Sequence, residues 1–155
     1  MVLMVTTPVE QCNAYPVMDM MERLQWDLNQ TEGVQLSVSI VNISKAVTKA
    51  FNEGSYKWLE LSKNQKIIDT SLQYVPTGFI NKDCSLAPIF IFLNDHKAET
   101  LQGVVDTVEQ YRATFSSDEV DILLAAGNAG IEVATNQIID AGHAPHVGIH
   151  LILFM

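Results

Sequence analysis

The hydrophobic positions of this chain alternate between the spacing of strands and the spacing of helices. Residues 1–7 form a short apolar run that stops at Pro8, which predicts a first strand. Residues 16–30 place apolar side chains at helical spacing, with Gly33 just past the end, which predicts an amphipathic helix. Residues 34–40 alternate apolar and polar side chains, which predicts a second strand at a sheet edge. The side chains expected on its buried side are Val34, Leu36, Val38 and Ile40.

Two further helices follow before the next strand. Residues 43–51 and 64–75 both repeat apolar side chains at helical spacing, and Trp58 lies between them. Residues 88–93 are continuously aliphatic and aromatic, which predicts a central strand. Three elements complete the pattern: a helix capped by Asn94-Asp95 and running through Arg112, a last strand at residues 121–126, and a helix at residues 130–140.

This order of elements predicts an α+β fold. Two split βαβ units in series favour a ferredoxin-like antiparallel sheet with strand order 4-1-3-2 and two helices on one face. A helical insertion, at about residues 43–75, separates strands two and three. Because the central strands are apolar on both sides, the second face of the sheet is expected to be covered by the insertion or by another domain.

Composition narrows the class of protein. The chain has 155 residues, 48% of them hydrophobic, which is enough for one domain with its own core. A formal net charge of −9 opposes binding to nucleic acid or to anionic lipid surfaces. No cleavable leader and no apolar window of membrane-spanning length occurs, which leaves a cytosolic protein or a piece of a longer membrane protein as alternatives.

The two cysteines fall close together in the predicted sheet. Cys12 follows strand one and Cys84 precedes strand three, and these strands are expected to be adjacent and antiparallel. A disulfide is therefore geometrically plausible and would require an oxidising compartment. Two unrelated buried thiols are the alternative.

Several separated segments resemble one family. GNAGIEVATNQII after an apolar strand, SLAPIFIFLNDHKAETLQGVVDTVE before it, and NISKAVTKAFNEG with KWLELSKNQ further upstream resemble a periplasmic domain of the resistance-nodulation-division (RND) superfamily of exporters. The similar branch is the one grouped with hydrophobe or lipid exporters. The resemblance spans most of the chain.

The resemblance implies a transport role without catalysis. Such exporters are proton-driven transporters of the bacterial inner membrane, and their extracytoplasmic domains take part in the capture and passage of substrate. The implied partners are a second periplasmic domain, the membrane helices of the same transporter, and a hydrophobic small molecule or lipid. No cofactor is implied. Residues 1–142 would form the single porter-like domain, and residues 143–155 would be a tail or the truncated start of a membrane helix.

The chain also contains weak candidates for chemistry. His143, His146 and His150 have the spacing of a zinc or nickel site on a helix, but Pro145 and Gly148 argue against a regular helix there.

Acid–base or nucleophilic chemistry is a second weak candidate. Asp95-His96-Lys97, with Ser85 or Cys84 as a nucleophile, has no visible catalytic arrangement, so we expect no enzymatic activity. The turn at Gly127-Asn128-Ala129-Gly130 weakly resembles an anion-binding turn, but glycines at a strand-to-helix connection explain it better.

Apolar side chains in and after the insertion are candidates for contact with substrate or with another domain. The candidates are Trp58, Leu59, Leu61, Tyr74 and Phe79. The alternative is that these side chains cap the sheet internally. A different alternative for the whole chain is a free-standing ferredoxin-like ligand-binding or regulatory module that dimerises through its sheet.

Overall fold

The computed structural model describes residues 1–115 and 119–125, in which strands and helices alternate. The strands are β1 (Val2–Thr6), β2 (Val34–Val38), β3 (Leu86–Leu93) and β4 (Asp121–Ala125). The helices are α1 (Tyr15–Gln30), α2 (Ile40–Phe51), α3 (Gln65–Leu72) and α4 (Ala98–Thr114), with a 3₁₀ turn at Tyr56–Trp58. None of the helices in this part of the chain is long and apolar enough to cross a membrane. The helix predicted at residues 130–140 and the tail at 143–155 lie outside the described residues.

The four strands form one antiparallel sheet in the order β2-β3-β1-β4. Read from the β4 edge, the neighbours follow the order 4-1-3-2. The apolar strands β1 and β3 lie in the centre, and β2 lies at an edge. The predicted α+β class and antiparallel sheet are confirmed, as is the helical insertion, which spans residues 40–72 between β2 and β3.

Helices α1 and α4 cover one face of the sheet, which we call the inner face. Leu3, Val5 and Ile89 point into this layer and have no exposed surface. Each such side chain contributes about 1.5–3 kcal/mol by leaving water. The hydroxyl of Tyr111 in α4 donates a hydrogen bond to the Met20 carbonyl of α1 over 3.1 Å, which ties the two helices together.

The prediction that Leu36 lies on the buried side of β2 is wrong. Leu36 is 45% exposed, whereas Ser37 is only 3% exposed. An irregularity between Val34 and Leu36 places an extra residue, Gln35, in the edge strand. A bulge of this kind reverses the alternation, because each side chain after it points to the opposite face. The strand also ends at Val38, so Ile40 begins α2 instead of continuing β2.

A polar cluster that is buried at Gln25, Ser37 and Ser39 takes the place of the expected apolar contacts under β2. The amide nitrogen of Gln25 donates to the Asn42 side chain over 2.8 Å, and the Ser37 hydroxyl donates to the Asn29 side chain over 2.9 Å. The Ser39 hydroxyl donates to Gln25 and accepts from the backbone N–H of Val41, which caps α2. This cluster joins the edge strand to α1 and sets the start of the insertion.

The opposite, outer face of the sheet is only partly covered by the described residues. Phe79 packs edge-on against Phe90, with ring centroids 5.1 Å apart. Leu36, Phe92 and Leu123 remain 44–51% exposed. The described residues therefore cover the outer face at Phe90, as expected, but they leave Leu36, Phe92 and Leu123 exposed.

The predicted disulfide between Cys12 and Cys84 is confirmed. Their Cα atoms are 5.0 Å apart, and the bond closes a sequence separation of 72 residues. The backbone N–H of Cys12 also donates to the Cys84 carbonyl over 2.9 Å. The covalent bond and this hydrogen bond extend the β1–β3 pair past the end of both strands.

Replacing both cysteines by alanine should destabilise the protein. A closed loop of this length corresponds to about 4 kcal/mol of unfolding free energy in the chain-entropy model. Urea unfolding of the Cys12→Ala/Cys84→Ala variant should show a clearly lower midpoint than the oxidised protein. Reduction should lower the midpoint of the native protein to a similar value and leave that of the variant unchanged. An unchanged midpoint on reduction would contradict a stabilising disulfide.

Candidate ligand-binding groove

The helical insertion contains an open groove of about 650 Å³, which we call the insertion groove. Its apolar lining comes from both helices of the insertion and from the segment that joins them. The apolar lining residues are Val47, Phe51, Trp58, Leu61 and Ile67. The volume lies within the roughly 300–1,000 Å³ typical of small-molecule sites.

Short polar side chains hold α2 and α3 together at the insertion groove, and two of them, Thr48 and Ser71, belong to its lining. The buried Ser71 hydroxyl of α3 donates to the Ser44 hydroxyl of α2 over 2.7 Å. The buried Thr48 hydroxyl donates to the Ser44 carbonyl, one turn back on α2. Such small side chains allow the two helices to approach each other closely. No buried side-chain nitrogen or oxygen in the described residues lacks a hydrogen-bond partner.

The loop after β1 fixes the position of α3. The Asn13 side chain donates to Asp69 over 2.8 Å, and the Gln65 side chain donates to the Asn13 carbonyl over 3.0 Å. The backbone N–H of Tyr15 donates to Gln65 over 3.1 Å. Because Asn13 directly follows Cys12, the disulfide and the wall of the insertion groove share one short loop.

The apolar lining is accessible to a ligand. Trp58 is 40% exposed, and Phe51 and Ile67 are also exposed. Tyr74 lies outside the lining but packs edge-on against Phe51, with ring centroids 5.3 Å apart. Adjacent exposed aromatic and aliphatic side chains are typical of surfaces that bind an apolar ligand or a partner.

Two charged residues, Glu60 and Lys63, belong to the lining. Neither forms an ion pair with another described residue. Two other lysines of the insertion are engaged, since Lys45 pairs with Glu22, and the Lys49 ammonium lies 3.5 Å from the centroid of the Tyr56 ring. The insertion groove therefore combines an apolar surface with one cation and one anion.

The predicted contact residues separate into three groups. Trp58 and Leu61 line the insertion groove, whereas Leu59 is exposed outside it. Tyr74 packs against the lining residue Phe51. Phe79 covers the sheet at Phe90, which agrees with the alternative that this side chain caps the sheet internally.

Three apolar lining residues were not among the predicted contact residues: Val47, Phe51 and Ile67. Their helical spacing was visible in the sequence, but it was used only to predict the two helices of the insertion. Periodicity shows which side chains share a helix face, but it does not show whether that face is covered.

The weak catalytic candidates do not form a catalytic arrangement within the described residues. Cys84 is in the disulfide, so it has no thiol to act as a nucleophile. The Ser85 hydroxyl accepts a hydrogen bond from Asn81. Asp95 accepts from the backbone N–H of Lys97 and from the Thr100 hydroxyl, so it organises the start of α4. It is not the N-cap residue that was predicted, because α4 begins three residues later, at Ala98.

Metal ligation has no support in the described part of the chain. No group of three His, Cys, Asp or Glu side chains in these residues could hold a metal ion. His143, His146 and His150 lie outside the described residues, as does the glycine turn at 127–130.

Comparison of this chain with known proteins identified no similar protein. The sequence matches no protein-family model, and no curated protein or solved structure matches it significantly.

The contribution of the Asp95 carboxylate to the stability of the fold should be lost at acidic pH. Hydrogen bonds from Thr100 and Lys97 lower the pKa of Asp95 from 3.8 to about 2. A carboxylate whose pKa is lower in the folded protein than in the unfolded chain stabilises the fold at any pH above its unfolded-state pKa. That stabilisation is lost as the pH falls through the folded-state pKa. The urea midpoint of Asp95→Asn should therefore lie below that of the native protein at pH 7 and approach it near pH 2.

An exposed carboxylate on the same helix provides the control. Among the described residues, Asp106 accepts only from the Gln102 side chain one turn away, so Asp106→Asn should change the urea midpoint little at either pH. A difference between Asp95→Asn and the native protein that does not vary with pH would contradict this role of the carboxylate.

Proposed function

We propose that this chain is a non-catalytic extracytoplasmic domain of an RND-type exporter, and that its insertion groove holds part of a hydrophobic or lipid-like substrate during export. The observation that carries the proposal is the accessible apolar lining of the insertion groove around Phe51, Trp58 and Ile67. The sequence resemblance provides the transport context.

Two features support this proposal. The alternating βαβ units, with a helical insertion after β2, are consistent with a ferredoxin-like porter domain. The disulfide between Cys12 and Cys84 is consistent with an oxidising compartment such as the periplasm.

In this proposal, the domain contributes binding surfaces and the membrane helices contribute proton coupling. The outer face of the sheet, with Leu36, Phe92 and Leu123 exposed, would pack against the second extracytoplasmic domain of the transporter. A substrate held in the insertion groove would then be passed on by a change in packing between domains, without any bond being broken.

The insertion groove should bind a neutral apolar probe near Trp58. The chain has two tryptophans, and Trp26 on α1 is 68% exposed and lies outside the lining. Titration with N-phenyl-1-naphthylamine should change the tryptophan emission of Trp26→Phe, which retains Trp58. The same titration should leave the emission of Trp58→Phe almost unchanged.

A pair of substitutions tests whether the lining itself binds the probe. Ile67→Glu places a charge in the lining and removes an apolar contact, so it should weaken probe binding about tenfold. Leu59→Glu makes the same kind of change at an exposed position of the insertion outside the lining, so affinity should be retained. Equal losses in the two variants would contradict binding in the insertion groove.

A second candidate function is favoured by the exposed side chains of the outer face. A free-standing ligand-binding or regulatory module would bury Leu36, Phe92 and Leu123 by dimerising through its sheet. Because these three side chains lie on three strands, β2, β3 and β4, the patch extends across the sheet and suits a second sheet of the same shape.

Two observations separate the candidates. The exporter proposal predicts that the coding sequence on both sides of this chain encodes apolar segments of about 20 residues. The dimer predicts a reading frame close to these residues and a dimer in sedimentation velocity that Phe92→Glu dissociates. Trp26→Glu, on the helical side of the molecule, should leave such a dimer intact. A monomer at all concentrations, without flanking apolar segments, would contradict both.

A further inference from the structure

We propose that the ligand of the insertion groove is an anionic amphiphile, with its apolar chain along Phe51, Trp58 and Ile67 and its acidic headgroup beside Lys63. The inference rests on the proposed ligand-binding function and adds the charge and shape of the ligand. It derives from the distribution of charge between the insertion and the rest of the chain.

The insertion is cationic in an acidic protein. Residues 40–72 contain five lysines and three carboxylates, a formal charge of +2, whereas the whole chain carries −9. The acidic remainder of the protein repels anions, whereas the insertion attracts them. An anionic ligand should therefore approach the protein at the insertion. The lysines involved are Lys45, Lys49, Lys57, Lys63 and Lys66.

Lys63 is the cation best placed to meet a headgroup. It belongs to the lining of the insertion groove and forms no ion pair with another described residue. Lys57 and Lys66 are also exposed and unpaired in that part of the chain, and each is next in sequence to a lining residue, Trp58 or Ile67. Asp69, in contrast, accepts hydrogen bonds from Asn13 and Gln65.

Glu60 is the one carboxylate of the described lining and opposes an anionic headgroup. The two charges provide a direct test, because an anionic ligand is attracted by Lys63 and repelled by Glu60, and a cationic ligand reverses both effects. An ion pair near the surface changes affinity only severalfold and is weakened by salt.

The experiment compares three ligands with the same alkyl chain: dodecanoate and dodecyltrimethylammonium below their micelle concentrations, and dodecanol below its solubility limit. The Trp26→Phe protein reports binding through Trp58. Dodecanoate should bind about tenfold more tightly than dodecyltrimethylammonium at low salt, and the difference should shrink at high salt.

Charge substitutions locate the effect. Lys63→Glu should weaken dodecanoate binding about fivefold, and Glu60→Lys should strengthen it by a similar factor. Lys82→Glu makes the same charge change in an exposed turn outside the lining and should alter the affinity much less.

Three outcomes would overturn the proposal: tighter binding of the cationic ligand, equal binding of all three ligands, or equal effects of Lys63→Glu and Lys82→Glu. Adsorption to anionic vesicles that Ile67→Glu does not weaken would identify a membrane-binding surface instead and would also overturn it. Binding of the neutral probe without charge preference would refute this inference and leave the proposed function standing. Failure of the neutral probe would refute both.

Discussion

The pairing of β1 with β3, extended by the Cys12–Cys84 disulfide, is the constraint on which the rest of the structure depends. Strand β1 pairs with neighbours on both sides, and Leu3 and Val5 are completely buried beneath α1 and α4. A central antiparallel pair with one apolar face provides a surface against which two helices can pack. The disulfide then holds the start of the following loop against the start of β3.

This constraint reaches the insertion groove through a few polar contacts. Asn13, next to Cys12, is hydrogen bonded to both Asp69 and Gln65 of α3, while the buried polar cluster at Gln25 sets the start of α2. The two walls of the insertion groove are therefore attached to the sheet at different places. Between those attachments, contact between Ser44 and Ser71 keeps the helices close, and the apolar lining remains open to solvent.

The elements that could be predicted from the sequence are those whose patterns are long and undisturbed. The apolar run of β3 and the helical spacing of α1 were located correctly to within about two residues, and the positions of Cys12 and Cys84 followed from the predicted strand neighbours. The inward side of β2 was wrong because a single extra residue, Gln35, reverses the alternation after it. Of the predicted contact residues, Trp58 and Leu61 do line the insertion groove.

By itself, the sequence determined the α+β class, the order of elements, the central strands and the partners of the disulfide, because these depend on periodicity and on the adjacency of strands. Only the tertiary structure decided which apolar side chains remain open to solvent. Phe51 and Ile67 line a groove that the other described residues leave open, whereas Phe79 covers Phe90, although all three are large hydrophobic residues in or just after the insertion. The physical reason is that exposure depends on what packs against a face, and this is set by distant residues such as Asn13 and Ser71.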